Sequence, residues 1–283
     1  MTPANAHAER AGGEPPAGRS AEPVLRRSAL LEACGVPHAF CTRVGGVSSG
    51  VFASLNFGNP GELEPARRDA AENIRENTRR VLAAIGCVGR EVVEVHQVHG
   101  ANVHEVCRGR PAHAGEHDTR ADAILSDDAA RMLGIRTADC APILLAGDDG
   151  RVVAAAHAGW RGTIDGVARN TVSAMRGRQG ITRVIACIGP CIGPEHFEVG
   201  PEVAAAFARA GLLEAARARP SLGRTGHMLL DLQGALALQL REAGVEEVEC
   251  IRECTFASPA HYFSHRRDAG VTGRMLSLIG SKR

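Results

Sequence analysis

A chain of 283 residues with 44% hydrophobic side chains can bury one large core or two small ones, and it is too apolar for a disordered protein. Its formal net charge is +1, with acids and bases intermixed, so it has no basic stripe of the kind that phosphate backbones require, and nucleic acid is not expected as a partner. No apolar run approaches the roughly 20 residues of a membrane span, and the N-terminus lacks the hydrophobic core of a secretory signal, which together predict a cytoplasmic protein without a membrane partner.

Residues 1–22 are rich in Ala, Gly, Pro, Glu and Arg, and their composition cannot offset the entropy of ordering, so they are expected to form a flexible tail. Residues 23–283 alternate apolar segments and turn signals without a long linker, which favours a single domain. Over 64–86, Pro65 stands at a first turn, Ile74, Thr78, Val81, Leu82 and Ile85 follow at helical spacing, and Gly86 closes the pattern, predicting an amphipathic helix. Residues 91–106 alternate as a strand would, with Val93, Val95, Gln97 and His99 on one face and Glu94, His96, Val98 and His104 on the other.

Residues 143–146 and 152–157 flank Gly147-Asp148-Asp149-Gly150 and read as a hairpin of buried strands. From Ile164 the spacing changes to a helical stripe of Val167, Ala168, Thr171, Val172 and Met175, which makes 159–163 a strand-to-helix turn. Further helices are expected over 201–217 and 231–243, and strands over 184–188, 245–252 and 274–279. Hairpins mixed with separated helices point to an α+β fold rather than a regular parallel one. Nine cysteines, an odd number in a chain without a secretory signal, read as reduced thiols.

Three segments end apolar runs with one borderline or soft metal ligand each: His99 in Gln97-Val98-His99-Gly100, Cys140 in Thr137-Ala138-Asp139-Cys140, and His157 in Ala156-His157-Ala158-Gly159-Trp160-Arg161-Gly162. A thiolate and two imidazoles suit zinc or copper, and three protein ligands leave a coordination position open. Packed side chains, or a Cys140 nucleophile activated by His157 or His99, satisfy the same residues. His96 has the opposite strand parity and is read as exposed, while His104, His113 and His117 fall in or beside a polar loop.

Arg161, near a helix start, is a candidate for holding an anion, or else for pairing with a carboxylate. Arg43 and the glycines after it are a second anion candidate. Trp160, the sole tryptophan, can stack on a base or pack on the core. Asp139 is a catalytic candidate by proximity, although an extended backbone would turn it away from Cys140.

These segments, with Thr42-Arg43-Val44-Gly45-Gly46-Val47-Ser48, Ile188-Gly189-Pro190, Tyr262-Phe263-Ser264-His265-Arg266-Arg267 and Thr272-Gly273-Arg274-Met275, stand in an order that resembles the laccase-domain polyphenol oxidase family. The resemblance spans nearly the whole chain after residue 22. It implies a layered α/β/β/α sandwich with mixed sheets, similar to the catalytic domain of cytotoxic necrotizing factor. It also implies phosphorolysis of adenosine, inosine and methylthioadenosine, with adenosine deaminase activity beside it, and a zinc site on His99, Cys140 and His157, with Cu2+ as the other metal to consider. The partners would then be a small-molecule nucleoside and phosphate, with Asp139 and Arg161 as catalytic candidates and Arg43, Gln97 and Trp160 as substrate-binding ones; the oligomeric state is left open.

Bacterial members of the family are also called peptidoglycan editing factors, so a hydrolase acting on a cell-wall precursor is an alternative. A copper-dependent polyphenol oxidase is another, although the chain has no His-X-His pair from which to build a multi-copper cluster. A non-catalytic metal-binding interaction protein would require a closed fourth ligand position.

Overall fold

Residues 141–147 can be apolar at almost every position and still form a strand because both faces of that strand are covered. Ile143 and Leu145 join a core shared with helices, whereas Leu144 and Ala146 join a second core shared with another sheet. The computed structural model in which this is seen describes residues 22–106, 108–109 and 119–282. The expected tail, apart from Glu22, lies outside those residues, as do His113 and His117.

In chain order the elements begin with β1 (Leu25–Arg26), α1 (Ala29–Ala33), β2 (His38–Cys41), α2 (Ala71–Ala84) and β3 (Glu91–Val93). Then come β4 (Val103–Val106), β5 (Ala123–Ser126), β6 (Arg131–Thr137), β7 (Ala141–Gly147) and β8 (Val153–Ala158). Next are α3 (Trp160–Ile164), α4 (Val167–Arg176), β9 (Val184–Ile188), β10 (Glu198–Val199), α5 (Pro201–Arg209), β11 (Arg219–Pro220) and β12 (Met228–Leu229). The chain continues with α6 (Leu232–Glu242), β13 (Glu247–Cys250) and β14 (Met275–Ile279).

A five-stranded sheet runs β1-β2-β14-β6-β3 and a six-stranded sheet runs β13-β9-β7-β8-β5-β4. Both are mixed: β3 pairs parallel to β6, and β4 to β5 and β13 to β9, while the other pairs are antiparallel. A small sheet of β10-β12-β11 stands apart from them.

Phe40, Leu133, Ile135 and Ile279 of the first sheet meet Ile124, Leu144, Val153 and Ile185 of the second in one core. The outer face of the six-stranded sheet packs on α4, α5 and α6. That of the five-stranded sheet places Met132, Leu276 and Leu278 against Val81 of α2. The layers are therefore helix, sheet, sheet, helices, an α+β arrangement. No described helix is long and apolar enough to cross a membrane.

Some elements depart from the sequence reading. The helix expected over 64–86 is a 3-10 turn at Pro65–Arg67 followed, after an extended Arg68, by α2. The helix expected over 201–217 stops at Arg209, where Gly211 takes a φ of +72° that ends the helical path. Residues 159–163 are not a plain turn, since Trp160–Ile164 form the one-turn helix α3.

The single strand expected over 91–106 is two strands, β3 and β4, in different sheets. Between them only an isolated parallel bridge of His96 with Arg120 continues the pairing, and side-chain bonds hold the rest: the Gln97 amide donates to Arg136 O at 2.7 Å and accepts from Arg136 N at 2.9 Å. His99 then adopts a φ of +61°, which no strand residue has.

Candidate functional site

The chain passes from one sheet to the other between β3 and β4, and again between β6 and β7, and both passages reach the same end of the sandwich as the last turn of β8. His99 lies on the first passage, Cys140 on the second, and His157 in β8.

Asp122, fully buried just before β5, ties two of these segments together. Its carboxylate accepts from the backbone N–H of Val98 at 3.2 Å, of His99 at 2.9 Å and of Gly100 at 2.6 Å. The same carboxylate receives Nδ1–H of His157 at 2.8 Å, and the Asp122 carbonyl accepts from His157 N at 2.7 Å. With Nδ1 so occupied, it is Nε2 of His157 that can give a lone pair to a metal once its proton is displaced. Burial opposes ionisation of Asp122, yet the His157 ring and the Gly100 N–H hold its carboxyl below the ordinary range.

Asp139 organises the second passage. Its φ of +81° marks a sharp reversal before Cys140, and not the extended backbone expected from the sequence. The buried carboxylate accepts from Thr255 Oγ1 at 2.6 Å, Ser264 Oγ at 2.9 Å and Arg266 N at 2.7 Å, and the Asp139 carbonyl accepts from Ile192 N at 2.9 Å. Cys140 is thus fixed by its neighbour from both sides.

The result is a triangle in which the ligand atoms of His99, Cys140 and His157 all lie within 4.8 Å of one another. The two rings meet edge to face, with centroids 4.8 Å apart. Gly159 closes on the triangle: a Cβ there would stand 3.1 Å from Cys140 Sγ and 3.1 Å from His99 Cδ2. Burial opposes the Cys140 thiolate, but the facing imidazoles of His157 and His99 outweigh it and lower the thiol pKa. The counterpart is His157, whose protonated form is disfavoured by burial and favoured more strongly by Cys140 and Asp122.

This mutual attraction is what a metal cation would replace. Two imidazoles and a thiolate, converged and with one imidazole oriented by a buried carboxylate, fit a borderline-soft divalent ion. Among the described residues these three form the one such group, and exposed His96 is not part of it.

The triangle opens into a cavity of about 600 Å³, a size that takes a small-molecule ligand. Gln97, Asp139 and Trp160 line it with the three ligands, and so do His96, His265, Arg136, Arg266 and Arg274. Phe197, Ile192 and Leu232 give it an apolar side.

Two residues expected at the site are not at its wall. Arg161 is exposed and stacks its guanidinium 4.4 Å from the Trp160 ring centroid. Arg43 lies 4.4 Å over the Phe263 ring and donates to Ala53 O at 2.7 Å and Pro259 O at 3.2 Å, so it braces a loop. Gln97 does line the cavity, but its amide is bonded at both ends to the Arg136 main chain.

Sequence reasoning missed Asp122 and the three arginines at the wall. Arg266 and Arg274 stood within segments already singled out. Asp122 offered only a weak signal, a lone acid between two alanines ahead of an apolar strand.

Residues 37–282 match the family described as multi-copper polyphenol oxidoreductase laccase. A purine nucleoside phosphorylase of Deinococcus radiodurans is 39% identical over 263 residues, 92% of this chain and 94% of that protein. The Escherichia coli purine nucleoside phosphorylase YfiH is 36% identical over 245 residues, 87% of this chain and 93% of that protein. Among solved structures, YlmD from Geobacillus stearothermophilus superposes with a TM-score of 0.75 at 33% identity, covering 88% of this chain and 93% of that one. A Neisseria meningitidis protein gives 0.74 at 34% identity, covering 93% and 100%.

Proposed function

Because this chain belongs to the multi-copper polyphenol oxidoreductase laccase family, whose members here include proteins named purine nucleoside phosphorylases, we propose that it is a zinc-dependent purine nucleoside phosphorylase acting on adenosine, inosine and methylthioadenosine. The observation that carries this reading is the cavity itself, which joins a three-ligand metal triangle to Trp160 and to the arginines Arg136 and Arg274 in one volume.

Zn2+ held by His99, Cys140 and His157 would supply Lewis acidity next to the substrate, with a coordination position to spare. The other tasks fall to the chain. Phosphorolysis needs a phosphate oriented for attack on the sugar carbon and a purine made easier to expel. Arg274 takes over the anion-holding role expected of Arg161 and Arg43, with Arg136, whose guanidinium pairs with Glu94 at 3.1 Å, beside it.

Arg274 donates through one nitrogen to Thr272 O and Gly273 O, both at 3.0 Å, and no described carboxylate forms an ion pair with it. Burial lowers its pKa, with the Cys140 charge pulling the other way, and an anion beside it would relieve that cost. Trp160 supplies a flat face for the base, its ring backed by the Arg161 guanidinium. Asp139, with three donors on its carboxylate, positions Cys140 and does not carry the proton; His96 and His265 are the titratable side chains at the wall suited to that task.

The test is a product assay with adenosine and inosine across phosphate concentrations, run with a muropeptide precursor and a phenol beside them. Free base with ribose 1-phosphate, reduced at least tenfold in Arg274→Ala, is the expected result. Free ribose at every phosphate concentration would exclude phosphorolysis and favour hydrolysis. Inosine formed from adenosine would show deamination.

A further inference from the structure

Away from the metal triangle, Cys191 and Cys254 face each other as partners in an isolated parallel bridge, with Thr255 N donating to Cys191 O at 2.9 Å. Backbones paired in this way lie about 4.8 Å apart, within the Cα separation that a disulfide spans. The two sulfurs are free in this structure: Cys191 is buried, and Cys254 is partly open to solvent.

Cys254 is surrounded by hydrogen-bond donors. Its Sγ receives backbone N–H of Gly193 at 3.1 Å and of Ala257 at 3.4 Å, and stands 3.6 Å from His196 Nδ1. His196 is held in place by stacking on Phe256, with ring centroids 4.6 Å apart. Two N–H donors and an imidazole thus converge on one partly exposed sulfur, where they can also hold the hydroxide that leaves when a peroxide is attacked.

We propose that Cys254 and Cys191 form a peroxide-reactive dithiol that closes to a disulfide. In the first step the Cys254 thiolate attacks one oxygen of hydrogen peroxide. The O–O bond breaks, hydroxide leaves and takes up a proton as water, and Cys254 is oxidised to a sulfenic acid. Cys191, whose thiol meets Ile192 O at 3.5 Å in the reduced protein, then attacks the Cys254 sulfur; the S–O bond breaks and the hydroxyl leaves as water with the Cys191 proton. Two thiols and one peroxide thus yield one disulfide and two waters.

Closure is transmitted to the cavity because each cysteine immediately precedes a residue that holds Asp139. Ile192 N donates to the Asp139 carbonyl and Thr255 Oγ1 to its carboxylate, and Asp139 in turn sets Cys140. This last connection rests on the proposed metal centre.

The experiment treats the full-length protein with hydrogen peroxide and reads intact mass and a non-reducing peptide map. Loss of two hydrogens and a Cys191–Cys254 linked peptide, reversed by dithiothreitol, are expected. Cys191→Ala should instead leave a sulfenic acid on Cys254 that dimedone traps, and Cys254→Ser should give neither product. Oxidation that falls on other cysteines while this pair stays reduced would overturn the dithiol, and the dimedone readout on Cys191→Ala keeps the test independent of whether Cys254→Ser folds. Zn2+ titration before and after oxidation tests the connection: about a tenfold or greater loss of affinity in the wild type and none in Cys191→Ala is expected, and equal affinities would overturn it. A protein that binds no Zn2+ before oxidation would overturn the metal centre and leave the mass shift to decide the dithiol.

Discussion

A buried carboxylate that accepts three backbone N–H groups and an imidazole N–H has no room for an amide, because Asn would turn an NH2 group against donors. Asp122 is in that position. Asp122→Asn is therefore expected to lose roughly 10–100-fold in metal affinity and about 1–3 kcal/mol of stability for each N–H left unpaired. Metal titration and thermal unfolding on the same sample check both. Cys140→Ala should abolish stoichiometric metal binding outright, and full occupancy in that variant would mean that the ligand set is wrong. The three candidate ligands were singled out chiefly by the motif order that resembles the laccase-domain family, and not by residue type, since buried His38, Cys41 and Cys187 also sit in apolar strands. Asp122 was not, since nothing in a sequence tells which distant donors a lone acid will meet. The arginines show the same limit: Arg161 lies one residue from a true cavity residue, and only the geometry shows its guanidinium turned onto the tryptophan.

At the level of elements, α3 is set against the His99 loop by the absence of a side chain. A Cβ on Gly162 would stand 2.8 Å from the Gly100 carbonyl, so Gly162→Ala must push α3 or that loop away. A cost of about 1–3 kcal/mol is expected, with weakened metal binding as the sign that the loop has moved. A thermal shift without any change in metal affinity would place the strain in α3 alone.

His38, at the start of β2, is the joint between β2 and α1. It accepts from Ser28 N at 2.9 Å through Nε2, and Nδ1 is bonded to Val36 O at 3.0 Å, an arrangement that needs the neutral ring. Burial lowers its pKa from 6.5, an effect that Val36 O, Glu32 and Glu249 oppose and Arg27 reinforces. The unfolded chain thus binds this proton first as pH falls, so the contribution of His38 to stability is full above the unfolded value and shrinks as pH drops below it. Unfolding free energies measured from about pH 7.5 to about pH 5 should fall less steeply in His38→Gln than in the wild type, and parallel slopes would refute this. The period-2 and helical patterns identified most elements, but residues 91–106 carried a strand pattern through a stretch that keeps one bridge, His96 with Arg120, and is otherwise bonded to side chains. Periodicity records which positions are apolar, and it is blind to a main chain that the Gln97 amide holds off the ladder.

For the whole molecule, the α+β class followed from the mixture of hairpins and helices, while the four-layer order needed the two cores that divide the side chains of β7. No sequence pattern states which of two apolar faces meets helices and which meets a sheet. A metal bound to segments this far apart in the chain stabilises the folded state alone, by about 2.7 kcal/mol when free metal is a hundredfold above its Kd. For a protein of this size, chelation should lower Tm by roughly 5–10 °C. The same chelator should leave Cys140→Ala unmoved, and an equal drop in both would point to a metal bound elsewhere.

The two passages between the sheets make the metal triangle a gauge of how far apart the sheets stand. Cys140 beside β7 and His157 in β8 belong to the six-stranded sheet, while the passage carrying His99 is also tied through Gln97 to Arg136 of the five-stranded sheet, so swelling of the inter-sheet core pulls that passage away from the other two corners, as a hinge magnifies a wedge. β7 provides a matched pair of wedges, because Leu144 fills the inter-sheet core and its neighbour Leu145 fills the core beneath the helices, both without exposure. Truncating either to alanine should cost a similar 2–5 kcal/mol, yet only Leu144→Ala should slacken the grip on metal. Selection on this centre would then reach far beyond the residues that touch it, and the packing between the sheets would be under constraint for chemistry as well as for folding.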